Sequence, residues 1–400
     1  MSLLLFEMKK LFLKRNTLVI ILLFILIPLI PNLMGEINYY SNNGEPGTLY
    51  GISKPYEGDV DPEIAQKAND EIMMVLNRKM SKTGDANIFG DNSREQIDFY
   101  FDYSNADHGL NSYQSGDIRE KPEKPYSLRG IKNRMETLEK EGKKDSYEYV
   151  MRVMQYSMLV ESGEPGFHYV KSWRNLFSFL TMGSGFLFTA FLLLLVIAPV
   201  FSNERVTGMD SIILSSRNGR VKVVTAKLAA SVIFASVFVI VYNLSQLAGY
   251  IGVGGAMGWD APLKSILGYA LCPYNITILQ FFLIQLVLQL LGSIMLTAAI
   301  AFVSSVSRSS LASFFISLLV IFYPYILGVL LRISAEWLQP LIDLSMLKLA
   351  VAHDAFAAFK AFNLFGSPVL YINVLIPLVI AMGIIFILLT YRQVRRQQVC

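Results

Sequence analysis

Charged and uncharged positions alternate along this chain in long blocks. No Asp, Glu, Lys or Arg occurs in residues 16–35, 175–203, 228–259, 265–307 or 309–331, and a shorter uncharged stretch covers 361–391. A helix crosses the hydrocarbon of a bilayer with roughly 20 apolar residues. Six spans are therefore expected, at about 17–34, 176–201, 226–250, 276–303, 311–331 and 371–391. In the first, each Leu, Ile, Val or Phe contributes about −0.3 to −0.6 kcal/mol, whereas one central charge would cost about +2.5 to +3.5 kcal/mol. No such charge is present. The run is long and no small-x-small cleavage site follows it, so an anchor fits better than a cleaved leader.

Between the spans the period changes. In residues 1–15 the apolar Leu4, Met8, Leu11 and Phe12 share one helical face among Glu7, Lys9, Lys10, Lys14 and Arg15. That pattern predicts an amphipathic helix lying in the interface with its lysines near anionic headgroups. Residues 36–170 read as a water-soluble insert with a loop-like start, SNNGEPG. From Pro62 a helix is expected on the stripe Ile64, Ala68, Ile72, Val75 and Leu76. A second helical stretch covers about 128–160, on Leu128, Ile131, Met135, Leu138, Tyr147, Val150, Val153, Met154 and Met158. Periodicity assigns nothing to residues 95–115. The insert has enough chain to fold as a small, mainly helical domain.

The fold class expected is thus an all-α polytopic membrane protein: six transmembrane helices, an N-terminal interfacial helix, and a large helical domain between spans one and two. Its parts are the amphipathic helix and first span (1–35), the extracytoplasmic domain (36–170) and a five-helix membrane region (171–400). The last outer loop, 332–370, is too charged to span and too apolar for open solvent. Short helices dipping into the outer leaflet or packed on the bundle are expected there.

Composition agrees, with 53% hydrophobic and only 16% charged residues against about 25% charged in soluble domains. The formal charge of +4 hides a partition. The insert holds 24 acids and 16 bases, while the remainder holds 7 and 19. This is an acidic insert on a basic membrane body, which argues against a nucleic-acid partner. With the N-terminus inside, the inner segments and flanks carry thirteen Lys and Arg and the outer short segments six. Lysine and arginine in short loops set orientation, so both termini are expected in the cytoplasm of a cell-membrane protein. Trp173, Trp259 and Trp337 fall beside span ends on the outer side, as interfacial aromatics do. Cys272 and Cys400 cannot make a disulfide framework, and no metal-ligand spacing occurs.

Catalytic signals are absent. There is no G-x-x-x-x-G-K-[ST] phosphate loop, and the cluster Gly252-Val-Gly254-Gly255 follows a span and opens no βαβ unit. His108, His168 and His353 are scattered, and His353-Asp354 reads as a solvated loop pair. No ionisable residue occupies mid-span, where ion-coupled transporters place their relays. Energy for any uphill transport would enter from a partner. In the fourth span Gln285, Gln289, Ser293 and Thr297 recur every fourth residue. They can line a path for an amphipathic substrate or hydrogen-bond neighbouring helices. Asn243, Ser245 and Gln246 pose the same question, and Pro199 and Tyr323-Pro324-Tyr325 mark bends.

The inner loop between spans two and three, 202–227, reads SNERVTGMDSIILSSRNGRVKVVTAK. Its run Glu204-Arg205-x-Thr207-Gly208, then Ile213-Leu214-Ser215-Ser216, Arg217, Gly219-Arg220 and Lys227 resembles the pattern E-x-x-x-G, L-L-S-S, arginine and lysine. That pattern is typical of permease subunits of ATP-binding-cassette exporters of the ABC type-2 family. The plan of the chain is similar across nearly its whole length. The resemblance implies that the loop forms a short cytoplasmic helix docking on a separate ATPase subunit. Glu204, Arg205, Asp210, Arg217 and Arg220 would be its exposed charges, and Gly208 would permit a bend or close approach. It further implies a second permease subunit, identical or related. The chain itself would bind no cofactor, with ATP and magnesium held by the partner, and the cargo would be an amphipathic peptide, lipid or antibiotic. Without the resemblance, two other readings stand: a membrane sensor or scaffold whose outer domain binds a ligand, and a membrane-embedded enzyme.

Overall fold

The computed structural model describes residues 3–80, 93–116, 120–121, 125–182, 185–209, 219–326 and 351–396. Element labels below run over these residues. The chain is mostly helical, and among the described residues five helices are long and apolar enough to cross a membrane: Arg15–Asn43, Gly185–Val206, Val221–Gly254, Ile278–Val306 and Tyr371–Arg396. The expected span at 311–331 appears as a shorter apolar helix that is described only as far as Ile326.

The first helix, α1 (Leu3–Phe12), is followed by α2 (Arg15–Asn43). The latter runs past the uncharged stretch, so the start of the insert, expected as loop, is helical up to Asn43. Gly44, at φ +106°, breaks the helix and α3 (Pro46–Ser53) begins. The insert continues with α4 (Pro62–Met80), α5 (Arg94–Gln114), α6 (Leu128–Lys140) and α7 (Tyr147–Glu161). Helix α5 occupies the stretch to which periodicity assigns nothing. It starts at a reciprocal cap, in which Ser93 Oγ accepts from Gln96 N and Gln96 Oε1 accepts from Ser93 N. That pairing satisfies two otherwise orphaned donors. Its core joins Ala65, Ala68, Ile72 and Val75 of α4 to Ile97, Phe99, Tyr100 and Tyr103 of α5 and to Phe167.

Two stripes differ from expectation. Leu76 is exposed, and Ala65 takes its place at the i, i+3, i+7 positions that face α5. On α7, Val150 and Val153 point outwards, while Arg152, Gln155 and Leu159 are buried. Arg152 is tolerated inside because it donates to Gln155 Oε1 at 2.8 Å and to the Pro125 carbonyl at 3.3 Å. A buried polar group needs such partners.

The bundle comprises α8 (Lys171–Phe177), a π-type turn at Ser178–Met182, α9 (Gly185–Ile197), α10 (Pro199–Val206), α11 (Val224–Gly254), α12 (Ile278–Val306), α13 (Ser310–Tyr325), the short α14 (His353–Phe356) and α15 (Tyr371–Arg396). Between α14 and α15 lies a hairpin of β1 (Ala361–Leu364) and β2 (Ser367–Leu370), with Ala361 opposite Leu370. This hairpin corrects the all-helical expectation for the last loop. Its packed part is α14, whose Ala355 and Phe356 are buried, with the Phe356 ring against Tyr274 and Phe281. Trp173 is also reassigned. It is buried against Phe177 and Phe282 and donates to the Ala256 carbonyl, so it is a core residue. Trp259 is exposed, and Trp337 lies outside the described residues.

The insert is fastened to the bundle by charge. Lys171 Nζ lies 3.0 Å from Asp98 Oδ1 and 3.5 Å from Asp102 Oδ1, and Arg174 reaches Asp102 at 2.8 Å. Burial alone would raise the Asp102 pKa, but the Arg174 and Lys171 charges and hydrogen bonds outweigh it and hold the carboxyl below its usual range. Close by, Gly254 ends α11, where a Cβ would collide with Ser172 Oγ and the Tyr40 hydroxyl. His168 Nδ1 lies 2.9 Å from Ser265 Oγ. Burial depresses the His168 pKa, and the Glu57 and Asp260 charges offset this only in part.

Asp102→Asn is expected to destabilise the insert by about 2–3 kcal/mol, less than for a fully orphaned pair because Asp98 remains. Thermal unfolding in detergent measures it. The His168 ring is neutral in the fold and takes up its proton more readily once unfolded. Its stabilisation is therefore complete above an ordinary histidine pKa of about 6.5 and is lost as pH falls through the depressed folded value. His168→Gln should flatten that part of the pH–Tm curve, and an unchanged slope between about pH 7.5 and 5 would sink the assignment.

Candidate functional site

At the end of the bundle where α1, α10 and α11 meet, four charged side chains close on one another. Lys227, in the first turn of α11, is 1% exposed. Its ammonium lies 2.6 Å from Glu204 Oε1, 3.2 Å from Glu7 Oε2 and 3.3 Å from the Val200 carbonyl. An ammonium has three protons, and here each has an acceptor. Glu204 Oε1 also accepts from Lys10 Nζ at 3.0 Å. The cluster contains two cations and two anions. Phe12 packs edge-on against Phe234 of α11 at 5.1 Å, which seats α1 beside it.

This arrangement changes the expected character of the loop. Glu204 is buried and Arg205 half-buried, where exposed charges are expected. Glu204 is turned into the cluster, and Arg205 donates to the Ser307 carbonyl at 2.8 Å and to the Ser305 carbonyl. Those carbonyls belong to the end of α12, where a guanidinium satisfies otherwise orphaned acceptors. Helix α1 turns Glu7 and Leu11 inwards and leaves Leu5, Phe6 and Lys9 exposed, so one of its faces packs on the bundle. Thr207 Oγ1 donates back to the Asn203 and Glu204 carbonyls, and Gly208 ends α10 at φ +71°. A left-handed residue after the last turn is the common terminator of a helix, so the expected bend at Gly208 is present. Gly219 opens a π-type turn, Gly219–Val223, that leads into α11. Asp210, Arg217 and the Arg220 side chain lie outside the described residues.

Pro199 produces the expected break between α9 and α10. Its consequence is local: the Phe201 and Ser202 amides both donate to Ser304 Oγ at 3.1 Å, and Ser304 in turn donates to the Ala198 carbonyl at 2.6 Å. One hydroxyl from α12 thus stitches the break.

Deeper in the bundle, Gln285, Gln289, Ser293 and Thr297 are all buried. Gln289 Oε1 accepts from Asn243 of α11 at 3.0 Å, and its Nε2 donates to Thr189 of α9 at 3.3 Å. Gln285 Oε1 accepts from the Ala352 amide at 3.0 Å. This half of the stripe cross-links helices. The hydroxyls of Ser293 and Thr297 have no partner among the described residues, and neither do Gln246 Nε2 and Oε1 on α11. The stripe is therefore a seam between helices, half engaged in packing.

One signal for the cluster is visible in the sequence and easily overlooked. Glu7 is the single acid in residues 1–35, set among four bases. A lone carboxylate on a basic helix that abuts the membrane has reason to be paired. Among the described residues no group of His, Cys, Asp and Glu is arranged to hold a metal ion. Compared with protein-family models, with curated proteins and with solved structures, the chain matches none.

Lys227→Met leaves two carboxylates buried without their principal cation. The expected loss is about 3–5 kcal/mol. Adding Glu7→Gln should recover part of it, with a coupling of about 1–3 kcal/mol. A double-mutant cycle by thermal unfolding checks this, and strict additivity would show that the cluster does not act as a unit.

Proposed function

We propose that this chain is the membrane-spanning permease subunit of an ATP-driven exporter of the ABC type-2 class, with six spans and both termini in the cytoplasm. Residues 36–170 stand outside the cell. Two such permease subunits, identical or related, work with two ATPase subunits that bind ATP and magnesium. The observation that carries the reading is the position of the Glu7–Lys10–Glu204–Lys227 cluster. It lies at the base of the same inner segment whose sequence resembles the permease coupling loop.

A push on residues 207–223 from a closing ATPase pair enters α10 and α11 at their ends. The cluster ties these ends to α1, and Arg205 ties α10 to the end of α12. Force delivered at one segment therefore moves several helices together. The docking charges in this reading are Arg217 and Arg220, because Glu204 and Arg205 are committed inward. Uncharged spans and the seam of Gln, Ser and Thr suit an amphipathic cargo, such as a peptide, lipid or antibiotic, better than a small ion.

Mild-detergent affinity purification of the tagged chain tests the proposal. An ATPase subunit should co-purify with ATP hydrolysis, and Arg217→Ala with Arg220→Ala should reduce both, leaving the yield and melting of the permease unchanged. Recovery of the chain alone, without ATPase activity, would remove the exporter reading and leave the sensor or scaffold reading in its place.

A further inference from the structure

The end of α15 and the start of α11 frame a groove of about 620 Å³, lined by Val221, Leu388, Tyr391, Arg392, Arg395 and Arg396. Leu388, Arg392, Arg395 and Arg396 stand at i, i+4, i+7 and i+8, so one helical face carries them all. The opposite face of that end is anchored in the bundle, with Thr390 and Val394 buried. The wall of the groove is fixed by a hydrogen bond of 2.7 Å between Tyr391 Oη and Thr225 Oγ1. The groove is thus a shaped feature between two fixed helix ends.

Its polarity is graded along the helix axis. Leu388, exposed at 62%, and Val221, at 44%, form an apolar wall. The three arginines begin where the uncharged stretch 361–391 stops. From Leu388 to Arg396 is about 12 Å of helix, the scale on which hydrocarbon gives way to headgroup. None of the three guanidinium groups pairs with a carboxylate among the described residues. No Asp or Glu side chain occurs at 355–396 or at 219–259. Glu7 and Glu204, which meet α11 at Lys227, are engaged with Lys227 and Lys10.

We infer that this groove is a binding site for one anionic phospholipid of the adjacent leaflet, its phosphate held by Arg392, Arg395 and Arg396 and an acyl chain lying on Leu388 and Val221. Guanidinium forks bind phosphate bidentately, and basic pockets between membrane helices at the headgroup level bind acidic lipids. An inorganic phosphate would use the arginines but leave the apolar wall bare, so charge and shape together favour the lipid. The site joins α15 to the turn that opens α11, close in sequence to Lys227. The inference rests on the membrane placement alone and stands whether or not the chain is an exporter.

Native mass spectrometry of the full-length chain in a neutral detergent tests it, with dioleoyl-phosphatidylglycerol and dioleoyl-phosphatidylcholine offered at equal concentration. The chain should retain phosphatidylglycerol in preference, and each arginine changed to glutamine should lower that preference by roughly fivefold. The triple Arg→Lys variant preserves charge and membrane orientation, so it reports even if the triple glutamine variant does not fold. Its preference should fall part of the way, because lysine lacks the bidentate fork. Leu388→Gln should shorten lipid retention with all three arginines intact. Equal retention of the two lipids by the unaltered chain overturns the inference. So does a preference unchanged in both triple variants, or displacement of the bound lipid by an equal concentration of inorganic phosphate.

Discussion

Removing an ammonium from water at the edge of a membrane is costly unless each of its protons meets an acceptor and its charge meets an opposite one. Lys227 satisfies both conditions with groups from separate chain segments. Because Glu7, Glu204 and the Val200 carbonyl must all be in place together, α1, α10 and α11 cannot settle independently. An apolar contact between membrane helices tolerates rotation and sliding, since lipid tails are as apolar as leucine. A buried ion cluster does not. This end of the bundle consequently has a register, and the rest of the architecture extends from it.

The opposite end of the bundle is governed by the same constraint in a different form. There Lys171 and Arg174 at the start of α8 meet Asp98 and Asp102 of the insert. The acidic insert and the basic body seen in the charge partition are thus complementary where they touch. Between the two ionic ends the spans communicate through neutral hydrogen bonds, such as Asn243 to Gln289 to Thr189. Such bonds contribute only about 0.6 kcal/mol each on average. Ionic pairs thus fasten both ends, and neutral hydrogen bonds within the apolar core link the spans between them.

The membrane helices are legible in the sequence because only a bilayer demands some 20 consecutive residues without charge. Pro199 and Gly208 are legible too, since their backbone chemistry acts locally. The insert is less so. Its α5 has an aromatic, mixed surface because it packs on α4, Phe167 and the bundle at once, which erases a simple period. On α7 the inward side holds Arg152 and Gln155, so hydrophobicity points to the wrong face. Glu204, Arg205 and Lys227 stand out as residues, but their burial does not. Exposure depends on what lies opposite. The partners are Glu7 and Lys10, about two hundred positions earlier, and the carbonyls of Ser305 and Ser307, about a hundred positions later. No local pattern carries that pairing.

The Ser304 stitch has a mechanical consequence. A proline break ordinarily leaves a loose joint whose freed amides turn to water or to whatever lies near. Here both amides are held by a single hydroxyl on another helix, which also binds the carbonyl on the far side of the break. The joint between α9 and α10 consequently has its pivot pin mounted on α12. If α10 swings, it must either carry that stretch of α12 along or give up three hydrogen bonds at once.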